Sequence, residues 1–80
     1  GVPAVWWERG GRTALTFTLD PEALAQAAEV AARAVRERRI AGLSVETIDG
    51  EAALRTESPL VAALEAAGFG ATPKGWRLRA

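Results

Sequence analysis

Asp20-Pro21-Glu22-Ala23-Leu24-Ala25-Gln26-Ala27-Ala28-Glu29-Val30-Ala31-Ala32-Arg33-Ala34-Val35-Arg36-Glu37-Arg38-Arg39-Ile40-Ala41-Gly42 is the stretch that decides the fold. Its first residues form a helix-start signature. The Asp20 carboxylate can accept from the free N–H groups of a first turn, and Pro21 has φ preset for that turn. Glu22 stands at the positive end of the helix dipole. Leu24, Ala27, Ala28, Ala31 and Val35 then recur at i, i+3, i+4 spacing as one apolar stripe. Arg36, Arg38 and Arg39 put cations at the negative end. The pattern predicts a helix over 21–39, with Gly42 as its left-handed cap. Ala dominates the stripe, so this helix can lie close against a sheet.

Upstream, residues 4–7 and 12–18 read as strands. Leu15, Phe17 and Leu19 alternate with Ala14, Thr16 and Thr18, and Leu15 and Phe17 are expected in the core. Gly10-Gly11 between these strands is a hairpin signal, because both central positions of a type I′ turn need positive φ. Adjacent Trp6 and Trp7 must point to opposite faces of their strand, one inward and one outward. Downstream, residues 43–48 read as one strand, Asp49-Gly50 as a turn, and residues 52–55 as a weaker returning strand. Ser58-Pro59 starts a second helix over 59–67 with Leu60, Val61, Leu64 and Ala67 on its apolar face. Gly68 ends it, and Phe69 is expected to fold back on its last turn. Thr72-Pro73-Lys74-Gly75 is a loop and residues 76–79 a final strand, with Trp76 and Leu78 on one face and Arg77 and Arg79 on the other. The order β-β-α-β-(β)-α-β predicts an α+β fold, a small antiparallel sheet with two helices on one face. The expected core is Leu15, Phe17, Leu24, Val35, Leu60, Leu64 and Phe69.

Eighty residues suffice for a single domain with a thin core. There is no Cys and no His, so thiolate chemistry and the commonest general base and metal ligand are missing together. No stretch is apolar for the roughly 18 residues that a membrane span needs, and no signal peptide is legible. No membrane partner, a cytoplasmic location and a monomer are expected. The sequence contains no Met and enters almost at once into the strand-like Val5-Trp6-Trp7, so residues 1–80 read as a single accessory domain, a fragment of a larger protein.

Ten basic residues balance ten acidic ones, but the distribution is uneven: Lys74, Arg77 and Arg79 fall in the last seven residues with no acid among them. Ser44 and Ser58 have no His partner, and Ser58 is explained as a helix cap. Glu46, Asp49 and Glu51 lack the spacing of a calcium loop and fit a solvent-facing strand and turn. Gly10-Gly11 lacks the Gly-x-x-x-x-Gly-Lys-Ser/Thr pattern of a phosphate loop. No catalytic, cofactor-binding or metal site is expected here. Nucleic-acid binding has more material. Trp7 and Trp76 lie in strands beside Arg9, Arg12, Lys74, Arg77 and Arg79, and a sheet aromatic can stack a base while neighbouring cations hold phosphates. The hairpin tip and the last strand are expected to form one basic edge. The plainer alternative is a core role for the Trp residues and solvated arginines, in a structural or protein-interaction module.

Several segments resemble, in order and at similar spacing, the C-terminal region of the Lhr (large helicase-related) helicases. Trp7-Glu8-Arg9-Gly10-Gly11-Arg12-Thr13-Ala14-Leu15-Thr16-Phe17 resembles that family's LERGGRSLLTF, and Val45-Glu46-Thr47-Ile48-Asp49-Gly50-Glu51 its VERIDGE. Ser58-Pro59-Leu60, Ala63-Leu64 and Ala66-Ala67-Gly68-Phe69 resemble SPLAEALRAAGF. The closing Thr72-Pro73-Lys74-Gly75-Trp76-Arg77-Leu78-Arg79 resembles TPRGLRLR. Trp6-Trp7 departs from the family's commoner Leu-Tyr-Leu. The resemblance implies a parent protein that is an ATP-dependent DEAD/DEAH-box superfamily 2 DNA helicase, with ATP and Mg as cofactors and a role in DNA repair. Its motor motifs lie far upstream of this region, so no catalytic residue carries over. For this piece the resemblance implies an accessory terminal domain that touches single-stranded nucleic acid or packs on upstream domains of the same chain.

Overall fold

A computed structural model describes residues 4–79. The strands are β1 (Val5–Glu8), β2 (Thr13–Thr16), β3 (Gly42–Val45), β4 (Thr47–Ile48), β5 (Glu51–Ala52), β6 (Gly70–Thr72) and β7 (Gly75–Arg79). The helices are α1 (Pro21–Arg36), between β2 and β3, and α2 (Pro59–Ala66), between β5 and β6. The fold is α+β with mainly antiparallel pairing, as the pattern predicts. The strands form two sheets rather than one, in the orders β1-β2-β4-β5 and β3-β7-β6, and the β2–β4 pair is parallel.

The division has a local cause at Glu46. The Arg12 carbonyl accepts from both the Glu46 N–H at 2.8 Å and the Thr47 N–H at 3.0 Å, so two residues of one chain meet a single partner. Such a bulge resets side-chain phase by one residue. Leu43 and Val45 are buried before it and Ile48 after it, a set that one continuous strand over 43–48 could not bury together. β6 is a strand absent from the sequence reading, in which only its last residue, Thr72, falls in the expected loop.

Both helix starts are capped as expected. Asp20 Oδ1 accepts from the Glu22 N–H at 3.1 Å, and Ser58 Oγ from the Leu60 N–H at 3.2 Å. The ends share one motif. In α2, Gly68 is left-handed, its N–H donates to the Glu65 carbonyl, and the Phe69 N–H donates to Leu64. In α1 the same pair of bonds runs from Arg38 to Val35 and from Arg39 to Ala34, with Arg38 at φ 60°. The helix therefore stops at Arg36, three residues before the expected end, and Arg38 is the left-handed residue in place of Gly42. Gly42 is needed for close approach: a Cβ there would stand 2.9 Å from the Leu78 carbonyl oxygen. The two helices are tied at these ends by Arg36, which donates to the Ala67 carbonyl at 2.7 Å and pairs with Glu29 at 2.9 Å.

Leu24, Val35, Leu60, Leu64 and Phe69 are buried as expected, joined by Val5, Ala14, Leu43, Val45 and Ile48. Leu15 is only half-buried, and Phe17 is 56% exposed. This corrects the expected face of β2. Ala14, paired with Trp7, turns inward, and Leu15, paired with Trp6, turns outward. A small residue inside leaves room for its partner Trp7.

Candidate nucleic-acid interface

The β1–β2 connection positions the first part of the site. The connection is a short 3₁₀-type turn over Arg9–Gly11 in which Arg9 (φ 55°), Gly10 (φ 70°, ψ 24°) and Gly11 (φ 95°) all have positive φ, so the glycine pair does supply the positive φ expected of it. Gly11 is also buried against β3, where an added Cβ would overlap the Leu43 side chain. The hairpin tip is thereby pressed onto the second sheet. Arg12, which follows it, is fixed through its own carbonyl by the two bonds to the Glu46 bulge.

The β6–β7 hairpin positions the second part. Its two-residue turn, Pro73-Lys74, is organised by the Thr72 hydroxyl, which accepts from the Lys74 and Gly75 N–H groups at 3.3 and 3.2 Å and donates to the Gly75 carbonyl at 3.0 Å. On the outer face of β7, Arg77 stands opposite Ser44 of β3 and Gly70 of β6, and Arg79 opposite Gly42. These neighbours are small, and Arg77 and Arg79 are both exposed.

The two parts meet. Arg12, Lys74, Arg77 and Arg79 line one open groove of about 730 Å³, with Glu46 and Ser44 also on its wall. Among the described lining residues, four cations thus face a single acidic side chain. Arg12 reaches Glu46 at 4.0 Å, a loose ion pair with the Arg12 side chain 71% exposed. Such a pair is weak and readily exchanged. Among the described residues, Lys74, Arg77 and Arg79 take part in no ion pair, unlike Arg36 and Arg39, which bind Glu29 and Glu37. An open groove with exposed cations is suited to a polyanion.

Not every residue expected at the site is there. The hairpin tip and the last strand do line one groove, although β7 pairs with β3 and β6 and not with β1 or β2. Arg9 does not line the groove. Trp76 lies on the opposite face of β7 from Arg77, packed against the core, and its Nε1–H donates to the Ala53 carbonyl at 3.3 Å. Trp7 is half-buried, also against the core, while Trp6 is the outward member of the pair at 53% exposure. The reading missed Ser44 and Glu46 as groove residues, because their placement depends on the β3–β7 register. Asp49 and Glu51 belong to the β4–β5 turn. Asp49, left-handed at φ 52°, accepts from the Thr16 N–H at 2.7 Å and the Thr16 hydroxyl at 2.5 Å. That clamp accounts structurally for the Asp49-Gly50 motif. Among the described residues no three His, Cys, Asp or Glu side chains gather as a metal site would need, and no helix is long and apolar enough to cross a membrane.

A curated protein of Mycolicibacterium smegmatis, named "Lhr helicase/ probable uracil glycosylase", is 41% identical over 81 aligned positions. The match covers 94% of this chain, and the chain spans about 5% of that relative's length. No protein-family model and no solved structure matches. The ordered motifs and this match agree: nearly the whole chain is similar to a short part of an Lhr helicase.

Proposed function

We propose that this is a non-catalytic accessory domain of an Lhr-like, ATP-dependent DNA helicase, and that it holds the phosphate backbone of nucleic acid in the Arg12–Lys74–Arg77–Arg79 groove. One observation carries the reading. Cations from the two ends of the sequence converge on one concavity whose wall includes a single acid. ATP and Mg belong, on this reading, to motor domains elsewhere in the longer protein, as does the chemistry of DNA repair. The domain contributes grip, not turnover.

A second observation favours packing on that longer protein. Trp6 and Leu15 are directly paired on the outer face of β1 and β2, with Phe17 two residues on, and Trp6 and Phe17 are both exposed. Exposed aromatics on a sheet face mark interaction surfaces. The two readings are compatible, since the apolar face and the cationic groove are built from different strands.

The test is binding of a labelled single-stranded oligonucleotide at two salt concentrations. Three to four phosphate contacts give a log–log salt slope of about −2 to −3, a loss of roughly 20- to 50-fold between 50 and 200 mM salt. Arg77→Glu with Arg79→Glu should abolish binding, and Glu46→Gln should tighten it. Salt-independent binding, or binding indifferent to the double reversal, contradicts the proposal.

A further inference from the structure

A second groove adjoins the cationic one. It measures about 380 Å³ and is lined by Trp7 of β1, by Val30, Ala31 and Ala34 of α1, and by Ile40. Its volume falls within the roughly 300–1,000 Å³ of small-ligand sites. Gly10, Gly42 and Leu43 line both grooves, so the two share a wall. That wall is low at Gly10, where an added Cβ would meet nothing within 4 Å. Val30 and Ile40 are 62% and 38% exposed. Neither belongs to the core, and together they give the groove an apolar rim open to a ligand.

We infer that this apolar groove receives an unpaired base of a strand whose phosphates lie in the cationic groove. The inference rests on the phosphate reading above and adds to it where the base goes. The strand would cross the wall over Gly10, where no side chain obstructs it. Phosphates would face the guanidinium groups, and a base would enter between the Trp7 indole and the Val30 and Ile40 side chains. Charge complementarity decides the occupant: an apolar peptide would leave the adjacent cations unanswered, whereas a nucleotide matches both halves. Apart from the indole N–H the lining offers no hydrogen-bonding side chain, so bases are taken by contact and stacking with little regard to identity. A base paired within a duplex cannot enter, which makes the site selective for single strands.

The experiment follows the Trp7 indole N–H and the Val30 and Ile40 methyl resonances of the unmodified chain at low salt. It is titrated separately with oligothymidylate, with a base-free deoxyribose-phosphate oligomer of equal length, and with a duplex. The expected result is that all three shift the Arg77 and Arg79 amides and only oligothymidylate shifts the Trp7, Val30 and Ile40 signals. The base-free oligomer should bind roughly 5- to 150-fold more weakly. Equal affinity for the first two ligands, with the Trp7 group unmoved, overturns the base site and leaves the phosphate reading in place. No shift by any ligand overturns both.

Discussion

The two sheets of this small domain turn different chemistry outward. The β1–β2 side shows Trp6, half-buried Leu15 and Phe17, and its neighbouring Thr13 and Thr47 are satisfied by one hydroxyl–hydroxyl bond of 3.1 Å. The β3–β7–β6 side shows Arg77 and Arg79 above Ser44, Gly42 and Gly70. Their inner faces share one core, with Val5, Ala14 and Ile48 from the first sheet and Leu43 and Val45 from the second. The contrast teaches that the composition of an outer face is free to follow function once the inner face is filled. An apolar outer face suits another protein surface, and a cationic one with small neighbours suits a polyanion.

Removing a shared core residue should erase the distinction. Phe69 is 3% exposed and folds back on α2, and Phe69→Ala should cost about 3–5 kcal/mol, read as loss of cooperative unfolding midpoint in denaturant. A smaller change should affect one sheet alone. Asp49→Ala removes both bonds to Thr16 and a residue tolerant of positive φ, for about 1–3 kcal/mol. Amide exchange should rise in β2 and β4 and stay slow in β7. Asp49→Asn, which keeps the turn, separates conformation from the clamp.

Arg38 tests whether position or mere charge makes the groove. It is a cation at the end of α1, left-handed without being glycine. Arg38→Gly should raise stability by about 0.5–1 kcal/mol through relief of that backbone, and should leave oligonucleotide affinity unchanged. A fall in affinity would mean that general positive charge, not the groove, holds the ligand. Phe17→Ala, at 56% exposure, should change stability by less than about 1 kcal/mol. A larger loss would show that this side chain supports the isolated fold.

Much of this architecture is legible in the sequence. Both helix starts, the Gly10-Gly11 turn, the Asp49-Gly50 turn and the Gly68–Phe69 ending follow from local rules that involve only a few neighbouring residues. What is not legible is phase and pairing. Alternation along β2 shows two faces, but which one is inside depends on the Trp7–Ala14 pair and the Ala stripe of α1, both distant in sequence. The sheet switch at Glu46 depends on the Arg12 carbonyl, 34 residues away by number, and leaves no compositional mark. Of the site, the cations are legible as types, while Trp76 is lost to the core and Ser44 and Glu46 are gained, because strand register alone decides what lies beside Arg77.

The most direct test of the central claim is an amide chemical-shift map of the chain titrated with a single-stranded oligonucleotide at low salt. The account predicts shifts at Arg12, Lys74, Arg77 and Arg79, with Trp6 and Phe17 silent, and loss of those shifts at physiological salt. Shifts centred on Trp6, Leu15 and Phe17, or none at all, would contradict it.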